Sequence, residues 1–118
     1  MFIDPKEVNF IYLHIEAVDF RKGIHCLAAF VNHQFGDDIT GKNLFVFSNR
    51  SRDRVRVLYW DDTGFALWYK ILECDRFKWP KRTEGEIKIS TSDLKYLLSG
   101  LNIDEQIPHK KQSAKQLY

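Results

Sequence analysis

The chain has 118 residues, and its 18 Lys and Arg against 16 Asp and Glu leave a net charge of +2. That length corresponds to one domain, with roughly two-thirds of the extended-chain surface buried on folding, enough for a core without staples. So mild a charge excludes a histone-like or ribosomal type of nucleic-acid binding and leaves only a local basic patch as an option.

Residues 11–15 (IYLHI) are short and β-prone. Asp19 is placed as an N-cap, and from Phe20 the apolar residues Phe20, Ile24, Leu27, Ala28, Val31 and Phe35 recur on one helical face. Gly36 stands where a C′ glycine belongs. Gly23 inside this helix should cost about 1 kcal/mol relative to alanine, which a close approach of another backbone would explain.

A β-meander follows: Leu44–Ser48, a polar turn at Asn49–Asp53, Arg54–Trp60, a turn at Asp61–Gly64, and Phe65–Leu72. Phe77–Trp79 reads as a further short strand closed by Pro80, and Glu86–Ile89 alternates like another. Ser90 with Asp93 forms an acidic variant of the capping box, opening a short helix with Leu94, Leu97, Leu98 and Leu101 on its apolar face and Gly100 near its end. The expected fold is α+β: an antiparallel meander of about four or five strands, the Phe20–Phe35 helix packed on one face, and a short C-terminal helix. Residues 1–103 form the domain, and 104–118, with Lys110, Lys111 and Lys115, read as a flexible basic tail.

With the shortest registers, Phe45, Phe47, Val55, Val57, Tyr59 and Trp68 share one face. Leu44, Val46, Leu58, Trp60, Phe65 and Leu67 share the other with Arg54, Arg56 and Tyr69. The second set is too apolar for open water, which points to a second covering layer, a partner, or a sheet curled toward a barrel. A one-residue slip exchanges the faces. Phe45, Phe47, Val57 and Trp68 are expected to be buried.

All three tryptophans, Trp60, Trp68 and Trp79, lie between Asp53 and Pro80, interleaved with Arg54, Arg56, Lys70, Arg76 and Lys78. Such alternation suits a surface for nucleic acid or a partner chain, and it equally suits a core with a solvated rim. Arg50, Arg52, Arg54 and Arg56 concentrate positive charge at one tip of the meander, with Lys78, Lys81 and Arg82 expected nearby. A ribbon with a basic tip can grip phosphates; a solvated edge accounts for the same residues. Arg50 and Arg52, as exposed turn positions, are expected to tolerate alanine within about 0.5 kcal/mol. Arg21 and Lys22 follow the Asp19 cap, where a helix N-terminus can hold an anion, and a plain cap with two solvated cations explains them as well.

Catalytic patterns are missing from the sequence. His14, His25, His33 and His109 form no i, i+4 pair, the six glycines are scattered, and neither Cys26 nor Cys74 has an activating signature. Asp61-Asp62 could hold magnesium, but Thr63-Gly64 behind them makes a turn the simpler account. No enzyme, cofactor or metal is expected. Two distant cysteines fit reduced thiols, no apolar run nears the ~20 residues of a membrane span, and the N-terminus lacks a signal-peptide pattern. A cytoplasmic, non-membrane location is therefore expected.

One resemblance rests on VDFRKG at 18–23, LFVF at 44–47, NR at 49–50, DRVRVLYWD at 53–61, GFALWYKILE at 64–73, RFKWP at 76–80 and the SGL-ended last helix. In combination these residues resemble the TnpB-type accessory protein of the IS-sixty-six group of bacterial insertion sequences, over roughly residues 10–101. The family tends to have methionine where this chain has Phe20, and D-P-x-S-G where it has Asp38-Ile39-Thr40-Gly41. The resemblance implies a non-catalytic factor needed for DNA transposition and recombination of a mobile element, acting beside a separate transposase, and it supplies no catalytic residues. Contact with DNA, with the transposase, or with both is expected. A protein-interaction or oligomerisation module, with a homo-oligomer as one form, is the other reading.

Overall fold

The structure, a computed structural model, describes residues 4–81 and 84–103. Arg82 and the tail expected over 104–118 lie outside the described residues. Five strands, β1 (Phe10–His14), β2 (Asn43–Ser48), β3 (Arg54–Trp60), β4 (Phe65–Ile71) and β5 (Glu86–Ile89), form one sheet in the order β4-β3-β2-β1-β5. Two helices, α1 (Ile24–Phe35) and α2 (Thr91–Leu98), complete an α+β fold.

The β2–β3–β4 meander is antiparallel as expected, with Phe45 opposite Leu58 and Val57 opposite Trp68. β1 departs from that expectation. It runs parallel to β2, with Tyr12 opposite Phe45, while β5 pairs with it antiparallel on its other side. The reason is the intervening helix: α1 carries the chain back to the end where β1 began, and parallel neighbours need such a crossover. β1 and β2 are therefore interior strands. All six residues of β2 are buried, and both strands are apolar runs rather than alternating ones.

The observed register corrects the expected faces. Because Phe45 pairs with Leu58 and not Val57, Phe45 and Phe47 join Leu58 under Leu27, Ala28 and Val31 of α1. Val55, Val57, Tyr59 and Trp68 face the other way, with Leu44 and Val46, toward Leu94 and Leu97 of α2, Phe77, Trp79 and Ile103. This is the one-residue slip that exchanges every side chain between faces. A second covering layer exists, so the sheet is closed on both sides. Phe45, Phe47 and Val57 are buried as expected, whereas Trp68, on the edge strand, is only half-buried.

Phe77–Trp79 is not a strand. The alternation was real, since Phe77 and Trp79 both point into the core. The backbone, however, makes an isolated bond instead of a ladder, the Phe77 N–H donating to the Arg52 carbonyl at 2.7 Å, and the Trp79 side chain donates from Nε1 to the His14 carbonyl at 3.1 Å.

Helix α1 starts four residues later than its apolar period suggests. Asp19 caps nothing in the helix; its carboxylate accepts from the Arg21 N–H at 2.9 Å, closing a local turn. Gly23 is the N-cap, in extended conformation, and a Cβ added there meets nothing within 4 Å. Neither the helix-interior cost nor the close backbone approach applies. Gly36 ends the helix at φ 60, where glycine is favoured. The Ser90–Asp93 capping box forms in both directions, with the Asp93 N–H on Ser90 Oγ at 3.0 Å and the Ser90 N–H on Asp93 Oδ2 at 3.2 Å.

Because Gly23 is an uncapped, uncrowded N-cap, Gly23→Ser should leave stability unchanged or raise it by a few tenths of a kcal/mol in urea denaturation. A loss above about 1 kcal/mol would mean that the position is crowded or helical after all.

Candidate nucleic-acid interface

Three segments meet at one end of the sheet: the connector from β1 to α1, the β2–β3 turn, and the stretch after β4. The Val18 N–H donates to the Ser48 carbonyl at 2.9 Å, docking the connector on the end of β2. The Leu72 N–H donates to the Asp53 carbonyl at 2.8 Å and Phe77 to Arg52, docking the third segment on the turn. The turn itself is held by Asn49, whose Nδ2 donates to Asp53 Oδ1 at 2.7 Å while its Oδ1 accepts from the Arg54 N–H at 3.1 Å. The hydrogen bond from Asn49 is the main cause holding the Asp53 carboxyl below its ordinary range, with Arg54 and Arg76 adding to it.

The four arginines expected at the tip part company here. Arg52 sits at φ 61, a left-handed conformation that costs a non-glycine residue about 1–2 kcal/mol. Its side chain turns inward, with Nη2 on the Ile15 carbonyl at 3.0 Å and the guanidinium 5.2 Å above the Trp79 ring. Nη1 is buried without a hydrogen-bond partner, and burial lowers the pKa of the group. Arg52 is thus an internal clamp joining the three segments, and its treatment as an exposed, tolerant turn position is corrected.

Arg54 and Arg56 alternate onto the α1 face. Arg56 packs against both rings of an edge-on pair, 4.4 Å from the centre of the Phe20 ring and 5.0 Å from that of Tyr69, and its Nη1 donates to the Lys22 carbonyl at 3.1 Å. Its Nε is buried without a partner. Arg54 is exposed and donates to the Tyr69 hydroxyl at 3.3 Å. Arg50 is exposed on the turn.

Arg50 and Arg54 share an open cleft with Arg21, Phe20, Asn49 and Ser51. The two basic clusters that are separate in the sequence are therefore one surface. Arg21 reaches it already paired: its guanidinium holds Asp19 at 2.8 Å, and that hydrogen bonding keeps the Asp19 carboxyl at a pKa of about 2. Lys22 is exposed and contributes its carbonyl to Arg56. With α1 starting at Ile24 after the Gly23 N-cap, Arg21 and Lys22 immediately precede the helix and do not lie in its first turn.

Lys78 is exposed next to Phe77, with Asp75 3.9 Å away, and Lys81 is exposed. None of Arg50, Arg52, Arg54 and Arg56 forms an ion pair with a described residue. Four guanidinium groups without an ion pair to a described residue thus concentrate positive charge at one end of a nearly neutral protein, with the Asp53 carboxylate acting on Arg54. Phe20 and Tyr69 belong to this surface; the sequence pattern placed Phe20 on the apolar helix face and Tyr69 on a sheet face with Arg54 and Arg56. Their interleaving with Arg21 and Lys70 was a signal, but pairing Tyr69 with Arg56 needed the β3–β4 register.

The Asp61-Asp62 pair lies in the β3–β4 turn. The Asp61 N–H donates to the Gly64 carbonyl at 2.7 Å, the Thr63 N–H donates to the Asp61 carbonyl, and Asp62 takes φ 54. Among the described residues no group of three or more His, Cys, Asp or Glu could hold a metal ion.

Comparison with known proteins finds that the family described as IS66 Orf2 like protein matches residues 9–108. Two relatives come from Sinorhizobium fredii (strain NBRC 101917 / NGR234). The uncharacterized protein y4jC is 33% identical over 100 residues, covering 85% of this chain and 86% of the relative. The uncharacterized protein y4hO is 39% identical over 84 residues, covering 71% and 73%. No solved structure matches.

The division between clamp and surface can be measured. Arg52→Ala removes a charged hydrogen bond and a cation–π contact and should destabilise the fold by about 1–3 kcal/mol in urea denaturation. Arg50→Ala should stay within about 0.5 kcal/mol of the parent. Equal effects of the two substitutions would refute the clamp.

Proposed function

This chain belongs to the IS66 Orf2 like family, a family of insertion sequences, and from that premise we propose a non-catalytic accessory protein in transposition that contacts DNA phosphates through the Arg50–Arg54 cleft. It acts in the cytoplasm beside the element's transposase. The observation that carries the reading is the set of four arginines at one end of the sheet, none of which forms an ion pair with a described residue. Unpaired cations held by a rigid frame are what backbone contact requires, because phosphate contacts position a protein without reading sequence. Use of Asp61 and Asp62 in a hairpin turn supports the non-catalytic part. Among the described residues no helix is long and apolar enough to cross a membrane, which agrees with a role on DNA.

A second reading is favoured by β4, an edge strand with Tyr69 and Ile71 exposed. A long apolar edge is a template for pairing with another chain, so this edge suits the transposase or a second copy of the protein. The two readings separate by salt. Binding through phosphates weakens steeply with ionic strength, because counterion release drives it; apolar edge pairing does not.

The direct experiment replaces Arg50 and Arg54, which are exposed, and leaves Arg52 in place. The Arg50→Ala/Arg54→Ala protein should bind element-end DNA more weakly and lose up to about two units of salt slope, one per phosphate contact. Neither it nor the parent should cleave DNA with magnesium or manganese present. Equal binding by parent and double mutant at low salt would remove the cleft as the contact and leave the edge-strand reading in front.

A further inference from the structure

Aromatic rings stand beside the cations of the cleft, and phosphate contact alone gives them no task. Tyr69 lies on the edge strand β4, with no strand beyond it in the sheet, and 37% of it is exposed. Three contacts hold its ring: the Arg54 Nη1 on its hydroxyl at 3.3 Å, the Arg56 guanidinium 5.0 Å from its centre, and the Phe20 ring in an edge contact with centroids 6.3 Å apart and planes at 62°. Phe20 also lines the cleft with Arg50 and Arg54. Arg56 packs against both rings and forms no ion pair with a described residue. An aromatic platform beside Arg56 thus continues into a groove carrying the exposed guanidiniums of Arg50 and Arg54 and the Asp19-paired guanidinium of Arg21.

We propose that this surface binds an unpaired DNA strand, with its phosphates on Arg50 and Arg54 and a base stacked against Tyr69. The inference rests on the DNA-contact reading and deepens it by naming the form of DNA. In a duplex every base face is covered by its neighbours, so a duplex can use the cations and not the ring. An unpaired strand uses both. Base–aromatic stacking accepts any base because each has a π-face, so the preference is for strandedness and not for sequence. Tyr69 is suited to this because its contacts fix the ring before the strand arrives, and a pre-ordered ring loses little conformational freedom on binding.

The test is fluorescence anisotropy of the full-length protein with a labelled oligothymidylate and with a duplex of equal length, both at low salt. The protein should bind the oligothymidylate at least tenfold more tightly. Tyr69→Ala should weaken oligothymidylate binding by about tenfold with no change on the duplex, while Tyr69→Phe, which keeps the ring, should restore most of the loss. Arg50→Ala should weaken both ligands alike. Thermal melting of each variant ensures that only folded protein is compared. Equal or tighter binding of the duplex, with Tyr69→Ala silent on the oligothymidylate, overturns the unpaired-strand proposal and leaves phosphate contact standing. Failure of the folded parent to bind either ligand overturns both.

Discussion

Strand β2 has all six of its residues buried, so the sheet must be covered on both faces, and the two covering layers determine where the connections run. α1 covers Phe45, Phe47 and Leu58; α2 and the Phe77–Trp79 segment cover Val46, Val55 and Val57. Fully burying a side chain of this size contributes roughly 1.5–3 kcal/mol, so exposing either face would remove a large fraction of a marginal stability. To reach α1 from β1 the chain must pass over the end of β2, and to reach β5 from β4 it must pass under the β2–β3 turn. The candidate site is what these two obligatory crossings leave at that end.

Placing guanidiniums there is expensive, and the surroundings show how the expense is reduced. Arg52 and Arg56 each have a buried nitrogen without a hydrogen-bond partner, and burying an unpaired charge is among the most unfavourable steps in folding. Neither has a carboxylate. Backbone carbonyls of Ile15 and Lys22 and the faces of Trp79, Phe20 and Tyr69 take that place. Carbonyls and rings stabilise a cation without cancelling its charge, so the positive potential survives at the surface where a carboxylate would have removed it. Arg21 makes the opposite arrangement, since Asp19 neutralises it within its own turn. One end of the sheet therefore holds a neutralised arginine and a group of arginines whose charge is retained.

Under the proposed function, the protein has one polar and one apolar surface for contact, the arginine cleft and the β4 edge. The cleft lies between Phe20 and the β2–β3 turn, and the exposed side chains of β4 lie at the neighbouring sheet edge. Tyr69 belongs to both, being part of β4 and bonded to Arg54. A ligand in the cleft and a chain paired on β4 would thus compete for, or share, the same ring.

What the sequence by itself determined is a set of features controlled by neighbours a few residues away, although the Asp19 turn, equally local, reads in the sequence as the start of α1. The Ser90–Asp93 box, the glycine end of α1 at Gly36, the Asp61–Gly64 turn and the β3 and β4 strands are legible because caps, turn hydrogen bonds and side-chain alternation are local. The family is legible for a related reason, since its signature is a set of short runs read in order. Tertiary structure decided the rest. The parallel place of β1 depends on Tyr12 meeting Phe45, and the β2–β3 register on Phe45 meeting Leu58 instead of Val57. Alternation has a period of two and is blind to a shift that only cross-strand packing can settle. The direction of Arg52 depends on a single left-handed residue and on Ile15 and Trp79, which are distant in the chain. The Phe20–Arg56–Tyr69 cluster joins three segments whose proximity exists only once both layers have closed on the sheet, because non-local packing energy is not encoded in any one segment.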